Sequence, residues 1–308
     1  MASGGNGREY AAFKRAPLVA IVATALAFAS CAGHPPLSRA TPPETLLPQG
    51  AVAYLKLDGF ILGALLESFL PPGNEAFVKD ASTRTQSVVM ALAEIPRRMQ
   101  EGGGPVALPP VVAIASGKYP AGAAGIKLGM DKAWVREGPN WKQRDGGLRV
   151  GFAGTSTMLL ATIPLEQGVA DTRKPGAHPI PDEWLASWSA PVALFLPDPL
   201  AALSELVPLD RDAMPLTGVM LSARPETEGS VPVYGATLSF GFADERSALV
   251  YAPVCRIFLY GLARGLWPDK ARGLLANTAW ERSGNVFMAA GLKLSAQDIA
   301  SFASLRMP

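Results

Sequence analysis

Apolar residues fall in three kinds of run along this chain. The first is continuous: positions 16–31 read APLVAIVATALAFASC, small and branched with no charge. Beyond residue 50 the runs shorten and are punctuated by Gly, Pro, Asn and Asp, the pattern of strands and capped helices. AVAYLKL at 51–57 predicts a strand. Asp58 then caps a helix over 59–70 that stops at Pro71-Pro72-Gly73. On a wheel Ile61, Leu62, Leu65, Leu66, Phe69 and Leu70 cover about half its circumference. Residues 75–99 read as a longer amphipathic helix, with Phe77, Ala81, Val88, Leu92, Ile95 and Met99 in one stripe and Pro96 ending or kinking it. VVAIAS at 111–116 predicts a buried strand, and 121–130 a short helix or loop. Four strands in a meander follow, over 133–136, 141–144, 148–153 and 157–163, with turn residues at Gly138-Pro139-Asn140 and Asp145-Gly146-Gly147.

After a polar, proline-rich stretch the pattern restarts. PVALFL at 191–196 is a strand, and Asp198 caps PLAALSELV with Pro199 at the favoured first position. Strands at 217–223 and 231–242, a long helix at 244–267, a strand–turn–strand at 280–287 and a helix at 295–306 capped by Ser295 complete the chain. VAYLKLDGFILGALLESF aligns with VALFLPDPLAALSELVPL, so that Val52, Ala53 and Asp58 match Val192, Ala193 and Asp198 at one offset. The stretch from Trp141 to Leu148 echoes that from Trp280 to Phe287 at nearly the same offset. The same order twice implies an internally duplicated unit. The expected fold class is α+β: two similar antiparallel-sheet-plus-helix halves, with amphipathic helices packed on the sheets. The expected divisions are a signal at 1–30, a tether at 31–50, a first half at 51–165, a linker at 166–189 and a second half at 190–308.

The continuous run gains meaning from its flanks. Arg8, Lys14 and Arg15 precede it and small residues end it, the form of an export signal. Cys31 follows the small pair Ala29-Ser30, which resembles a bacterial lipoprotein signal with cleavage between Ser30 and Cys31 and acylation of Cys31. Phe28 departs from the strict form of that signal, and Ala27-Phe28-Ala29 offers a rival, ordinary secretory site. The run is shorter than the roughly 20 residues a spanning helix needs. Residues 32–50 are rich in Pro, Ser and Thr and read as an extended tether.

Charge and composition remove several function classes. The 308 residues carry 28 basic and 26 acidic side chains, of which Arg8, Lys14, Arg15 and Glu9 lie in the signal. The remaining chain is neutral, without the basic footprint of a nucleic-acid binder. Cys31 and Cys255 are the two cysteines, so acylation of Cys31 leaves Cys255 unpaired. His34 and His178 each stand beside a proline, and no spacing of His, Cys or carboxylates fits a metal site. Neither a G-x-S-x-G elbow nor a phosphate-binding loop occurs. The sequence therefore predicts no enzyme, no metal and no cofactor. Trp184 and Trp188, four residues apart, suggest an exposed aromatic pair.

The helix over 248–267 stands out. No acidic residue lies between Glu245 and Asp269. Arg256 and Arg264 share one side of the wheel with Tyr260 and Trp267 nearby, and Val254, Cys255, Phe258, Leu259, Leu262 and Leu266 cover the other. A large apolar face, a basic face and boundary aromatics suit a helix lying in a membrane interface; Pro253, two glycines and two arginines argue against a span. The competing reading of a helix apolar nearly all round is core packing. The candidate membrane-binding residues are Phe60, Ile61, Leu62, Leu65, Leu66 and Phe69 in the first helix and Val254, Phe258, Leu259, Leu262, Leu266 and Trp267 in the second.

Taken together, the signal ending Phe28-Ala29-Ser30-Cys31, the proline-rich segment, the disulfide-free α+β body and the aliphatic helices resemble a Treponema outer-membrane-associated lipoprotein whose amphipathic helices insert into the bilayer. That resemblance implies a palmitate-type acyl anchor on the periplasmic face of the outer membrane, membrane lipids as partners, a closed-to-open change and altered bilayer permeability. A second reading is a periplasmic carrier for a lipid or other apolar ligand held between the halves.

Overall fold

The computed structural model describes residues 34–38, 40–69, 79, 82–93, 110–144, 147–203, 214–226 and 233–303. Its elements run β1 (Ala53–Asp58), α1 (Gly59–Phe69), β2 (Thr85–Leu92), β3 (Val111–Gly117), α2 (Ala121–Met130), β4 (Trp134–Glu137), β5 (Asn140–Gln143), β6 (Arg149–Ala153), β7 (Thr157–Ala161) and α3 (Leu165–Gly168). They continue α4 (Leu185–Trp188), β8 (Val192–Leu196), α5 (Pro199–Leu203), β9 (Leu216–Glu226), β10 (Val233–Phe242), α6 (Glu245–Leu266), α7 (Ala271–Ala276), β11 (Ala279–Ser283), β12 (Val286–Ser295) and α8 (Ala296–Ala303).

The described strands form one 12-stranded sheet in the order β11-β12-β10-β9-β8-β1-β2-β3-β7-β6-β5-β4, antiparallel throughout. The first half pairs β1-β2-β3-β7-β6 and the second pairs β8-β9-β10-β12-β11, with the β4–β5 hairpin added at one edge. The halves meet at β1 and β8 through Tyr54↔Phe195, Leu55↔Leu194 and Lys56↔Ala193. Trp280, in β11, holds the sheet position of β6, whereas Trp141 lies in the added β5. The sequence echo between these tryptophans is thus one strand out of step with the sheet.

Local chemistry explains the helix starts. The Asp58 carboxylate accepts from the Ile61 amide at 2.8 Å, and the Asp198 carboxylate from the Ala201 amide at 2.8 Å. Asp58 also accepts from the Tyr234 hydroxyl at 3.2 Å, tying the start of α1 to β10 of the other half. Burial, reinforced by the Asp58 charge, pushes the Tyr234 phenol well above its ordinary value, so it remains a donor. Ser295 and Asp298 form a capping box: the Ser295 hydroxyl accepts from the Asp298 amide at 3.1 Å, and the Asp298 carboxylate accepts from the Ser295 amide at 2.9 Å.

Three expectations are corrected. The long helix over 75–99 is interrupted by β2, which occupies Thr85–Leu92 between β1 and β3. The rest of that stretch, apart from a helical turn at 82–84, lies largely outside the described residues. A central strand covered on both faces is apolar on both: Val88 points to one face and Val89 and Ala91 to the other. Its apolar run carries no alternation, and the Val88–Leu92 spacing fits a helix equally well. Next, the described part of 34–50 is no free tether. The His34 amide donates to the Phe152 carbonyl at 2.9 Å, Pro43–Leu46 form a 3₁₀ turn, and Leu46 and Leu47 are buried. Finally, Trp184 and Trp188 are buried, not displayed. Trp184 packs 5.6 Å from Phe195, and the Trp188 indole donates to Glu44 at 3.0 Å. Gly241 makes room for Trp184: a Cβ there would lie 2.7 Å from its ring.

The two faces of the sheet are covered differently. One is covered by helices: Leu57, Leu221, Leu238, Phe240 and Phe242 pack against Ile61, Ala248, Cys255, Leu259 and Ile299. That layer continues over the first half, where Val88, Ala113 and Phe152 meet Leu62, Ala124 and Leu128. The other face is covered by loops, with Leu46, Leu47, Leu165, Ile180, Trp184 and Trp188 over Tyr54, Val89, Ile114, Phe195 and Met220. The stretch 166–189 packs on this face through Ile180, Trp184 and Trp188.

Candidate functional site

Helix α6 begins where Asp244 accepts from the Ser247 amide at 2.7 Å and its hydroxyl at 3.0 Å. These bonds hold the Asp244 carboxyl below its ordinary range. The helix ends at Trp267, whose amide donates to Ala263 at 2.8 Å. Between them Ala248, Cys255, Leu259 and Ala263 are buried, with Ala252, Phe258 and Leu262 half-buried on the same side. Small residues at these turns let the helix lie close to the sheet. Tyr251 stacks on Phe242 at 6.1 Å, and Phe258 meets Phe240 edge-on at 6.2 Å. Burial pushes the Cys255 thiol up to about 12, so it is an inert core group.

The opposite side of α6 is apolar and exposed. Leu249 is 62% exposed, Val250 58%, Val254 41%, Ile257 71% and Tyr260 51%. Pro253, Gly261 and Arg264 lie among them, also exposed. Spacings of three and four residues put these side chains on one face. Arg256 is exposed but does not join that face: its guanidinium lies 5.3 Å from the Trp280 ring and 5.8 Å from that of Phe287. Among the described residues α6 is the one helix long and apolar enough to cross a membrane, and only 17% of its most apolar stretch is buried.

The side of α6 singled out from the sequence is mostly the side that packs on the sheet. Val254 is on the outward face, Leu259 is buried, and Phe258, Leu262, Leu266 and Trp267 are half-buried towards the body. The exposed apolar side chains outside that set are Leu249, Val250, Pro253, Ile257 and Tyr260. The signal available was the cluster of small residues: Ala248, Ala252, Cys255 and Ala263 recur on the side that packs, interleaved with Leu259 and Phe258. In α1, Phe60 is 56% exposed while Ile61 is buried and Leu62 half-buried. The side chains of Leu65, Leu66 and Phe69, like Cys31, lie outside the described residues. In α2, Met130 is 81% and Ile126 43% exposed. Helices α1, α2 and α6 all cover the same face of the sheet, so these apolar side chains belong to one layer.

At the end of α6 a pocket of about 310 Å³ opens between α7 and β12, lined by Trp267, Lys270, Leu274, Asn277, Lys293 and Asp298. The Lys270 ammonium donates to Asp298 at 2.9 Å, so the carboxylate is neutralised within the fold. Among the described residues no group of three or more His, Cys, Asp and Glu side chains is placed to hold a metal. His34 lies 2.7 Å from the Asn140 side-chain carbonyl, and His178 accepts from the Ile180 amide at 3.2 Å; both shape loops.

With this geometry in place, the comparison with solved structures is informative. The chain shares its fold with TP0453 of Treponema pallidum. One crystal form of TP0453 matches with a TM-score of 0.56 and 15% identity, covering 87% of this chain and 100% of that one. Two further crystal forms match with TM-scores of 0.55 and 0.54 at 15% identity, covering 86% and 87% of this chain and 97% and 98% of theirs. No protein-family model and no curated protein matches. The likeness to TP0453 is one of fold.

Proposed function

We propose that this is a non-enzymatic protein of the outer membrane, held at its periplasmic face by an acylated Cys31, that lays the outward face of α6 into a bilayer and alters its permeability. The observation that carries this reading is the exposed apolar face of α6: Leu249, Val250, Val254, Ile257 and Tyr260. Full burial of an aliphatic or aromatic side chain stabilises by about 1.5–3 kcal/mol, so moving five half-exposed ones into lipid would contribute roughly 5 kcal/mol. Alone that supports partial binding at high lipid concentration, and an acyl anchor strengthens it by keeping the helix at a high effective concentration near the surface. Arg264 can carry its charge to the headgroups while its stem stays apolar. Sharing a fold with TP0453 fits this reading, as does the lipoprotein-like signal.

We also infer that the halves descend from one duplicated unit. What supports this is the equal strand order on either side of the β1–β8 seam and the capping aspartates Asp58 and Asp198 at equivalent positions.

The membrane reading is tested by liposome flotation of the chain from residue 31 onward carrying Cys31→Ser, in which α6 acts without the apolar run at 16–30 and without an acyl anchor. Binding is expected, and Ile257→Asp should reduce it about tenfold or more while leaving the melting temperature unchanged. No binding, or binding indifferent to Ile257→Asp, would reject it.

A further inference from the structure

The described residues of 34–50 run over the side of the sheet opposite α6 and are fastened at several points. His34 bridges to Ala153 of β6, and Pro36 fits against Gly154, whose φ is +67° and where a Cβ would stand 2.9 Å from the proline. The buried Glu44 carboxylate accepts from Trp188 at 3.0 Å and lies 3.6 Å from the Lys56 ammonium, joining β1 to α4. Leu46 and Leu47 fill the core below. The Leu46 carbonyl accepts from the Ala170 amide at 3.0 Å, the Thr45 carbonyl from the Gly176 amide at 2.9 Å, and the Pro48 carbonyl from the Tyr54 hydroxyl at 2.9 Å.

Cys31 precedes the first of these contacts by three residues, a reach of about 10 Å at most. Helix α6 covers β10 and β12, and β12 lies roughly eight strand spacings from β6, about 38 Å along the sheet. It also faces the other way. A bilayer held within reach of a seated Cys31 therefore does not meet the outward face of α6.

We propose that residues 34–50 form a releasable strap: seated, it holds α6 off the membrane to which Cys31 is attached, and unseated, it becomes the tether that lets α6 reach that membrane. Released, these roughly 17 residues at about 3.3 Å each span about 55 Å, which exceeds the separation. The strap is fixed by one β-bridge, the Pro36 contact, two leucines, the Glu44 carboxylate and a few scattered hydrogen bonds rather than by a strand or long helix, so it can leave without dismantling the sheet. This rests on the reading of Cys31 as the anchor and α6 as the membrane contact.

The test is hydrogen exchange of the mature chain coupled through Cys31 to a maleimide-bearing lipid in phosphatidylethanolamine/phosphatidylglycerol vesicles, with the unanchored Cys31→Ser chain on the same vesicles beside it. In the anchored chain, the Ala170 and Gly176 amides should exchange about tenfold faster or more once α6 becomes protected. In the Cys31→Ser chain, α6 should be protected with those two amides still slow, because no anchor opposes the strap. An anchored Ile257→Asp chain should keep them slow as well. Protection of α6 in the anchored chain with Ala170 and Gly176 unchanged would overturn the strap while leaving membrane contact intact. Failure of the Cys31→Ser chain to protect α6 on vesicles would overturn the contact reading and the strap with it.

Discussion

Ile257 and Leu259 are two residues apart on α6 and face opposite ways: the first is 71% exposed, the second 2%. Substituting each separates surface chemistry from folding. Leu259→Ala should cost about 2–5 kcal/mol of stability, read as a lowered melting temperature. Ile257→Asp should change stability by less than about 0.5 kcal/mol and act on vesicle binding alone. Asp298 gives a pH signature. Burial pushes its carboxyl up, but the Ser295 hydroxyl and amide and the Lys270 ammonium outweigh that, and the folded value lies below the ordinary one. A carboxyl lowered on folding stabilises fully above its unfolded value of about 3.9 and loses that contribution as pH falls through the folded value. Denaturant unfolding of the wild-type chain should therefore weaken more steeply than that of Asp298→Asn as pH drops below about 4. At this scale the sequence was partly legible. The caps at Asp58, Asp198 and Ser295 were readable because capping is local chemistry. The burial of Glu44 was not, because its partners Lys56 and Trp188 come from distant parts of the chain.

At the scale of elements, α6 was expected over 244–267 and spans Glu245–Leu266, whereas β2 was read as helix. The difference is physical. A helix with one capped start and a long apolar pattern announces itself, but a short central strand apolar on both faces has no period to read. Which side of α6 packs was likewise set by its partners Phe240 and Phe242, not by the wheel. Its glycines also differ from those elsewhere. A Cβ at Gly261 or Gly265 meets nothing within 4 Å, whereas one at Gly129 of α2 would lie 3.0 Å from the Trp141 ring. Gly261→Ala should therefore raise stability by about 0.5–1 kcal/mol, and Gly129→Ala should lower it, both measurable by thermal melting.

For the whole molecule, the mixture of helices with antiparallel strands could be read from the recurring order of strand, capping aspartate and helix. That the halves share one sheet could not, because the β1–β8 pairing joins residues about 140 positions apart and leaves no local trace. Residues 34–50 show the limit of composition: Pro and Thr suggested a tether, yet Leu46 and Leu47 bury and hold the segment on the sheet. One face of the molecule is thus closed by loops, short helical turns and the segment around Leu46 and Leu47, and the other by helices bearing exposed apolar side chains. Lipid contact through the helical face is the central claim. It is tested most directly by quenching with bromine-labelled lipids of a fluorophore at Ile257→Cys in the Cys31→Ser chain, compared with one at Ser222→Cys on the opposite face of β9. Strong quenching at 257 and little at 222 is the predicted result; vesicle-bound protein with equal quenching at both positions, or none at 257, would contradict it.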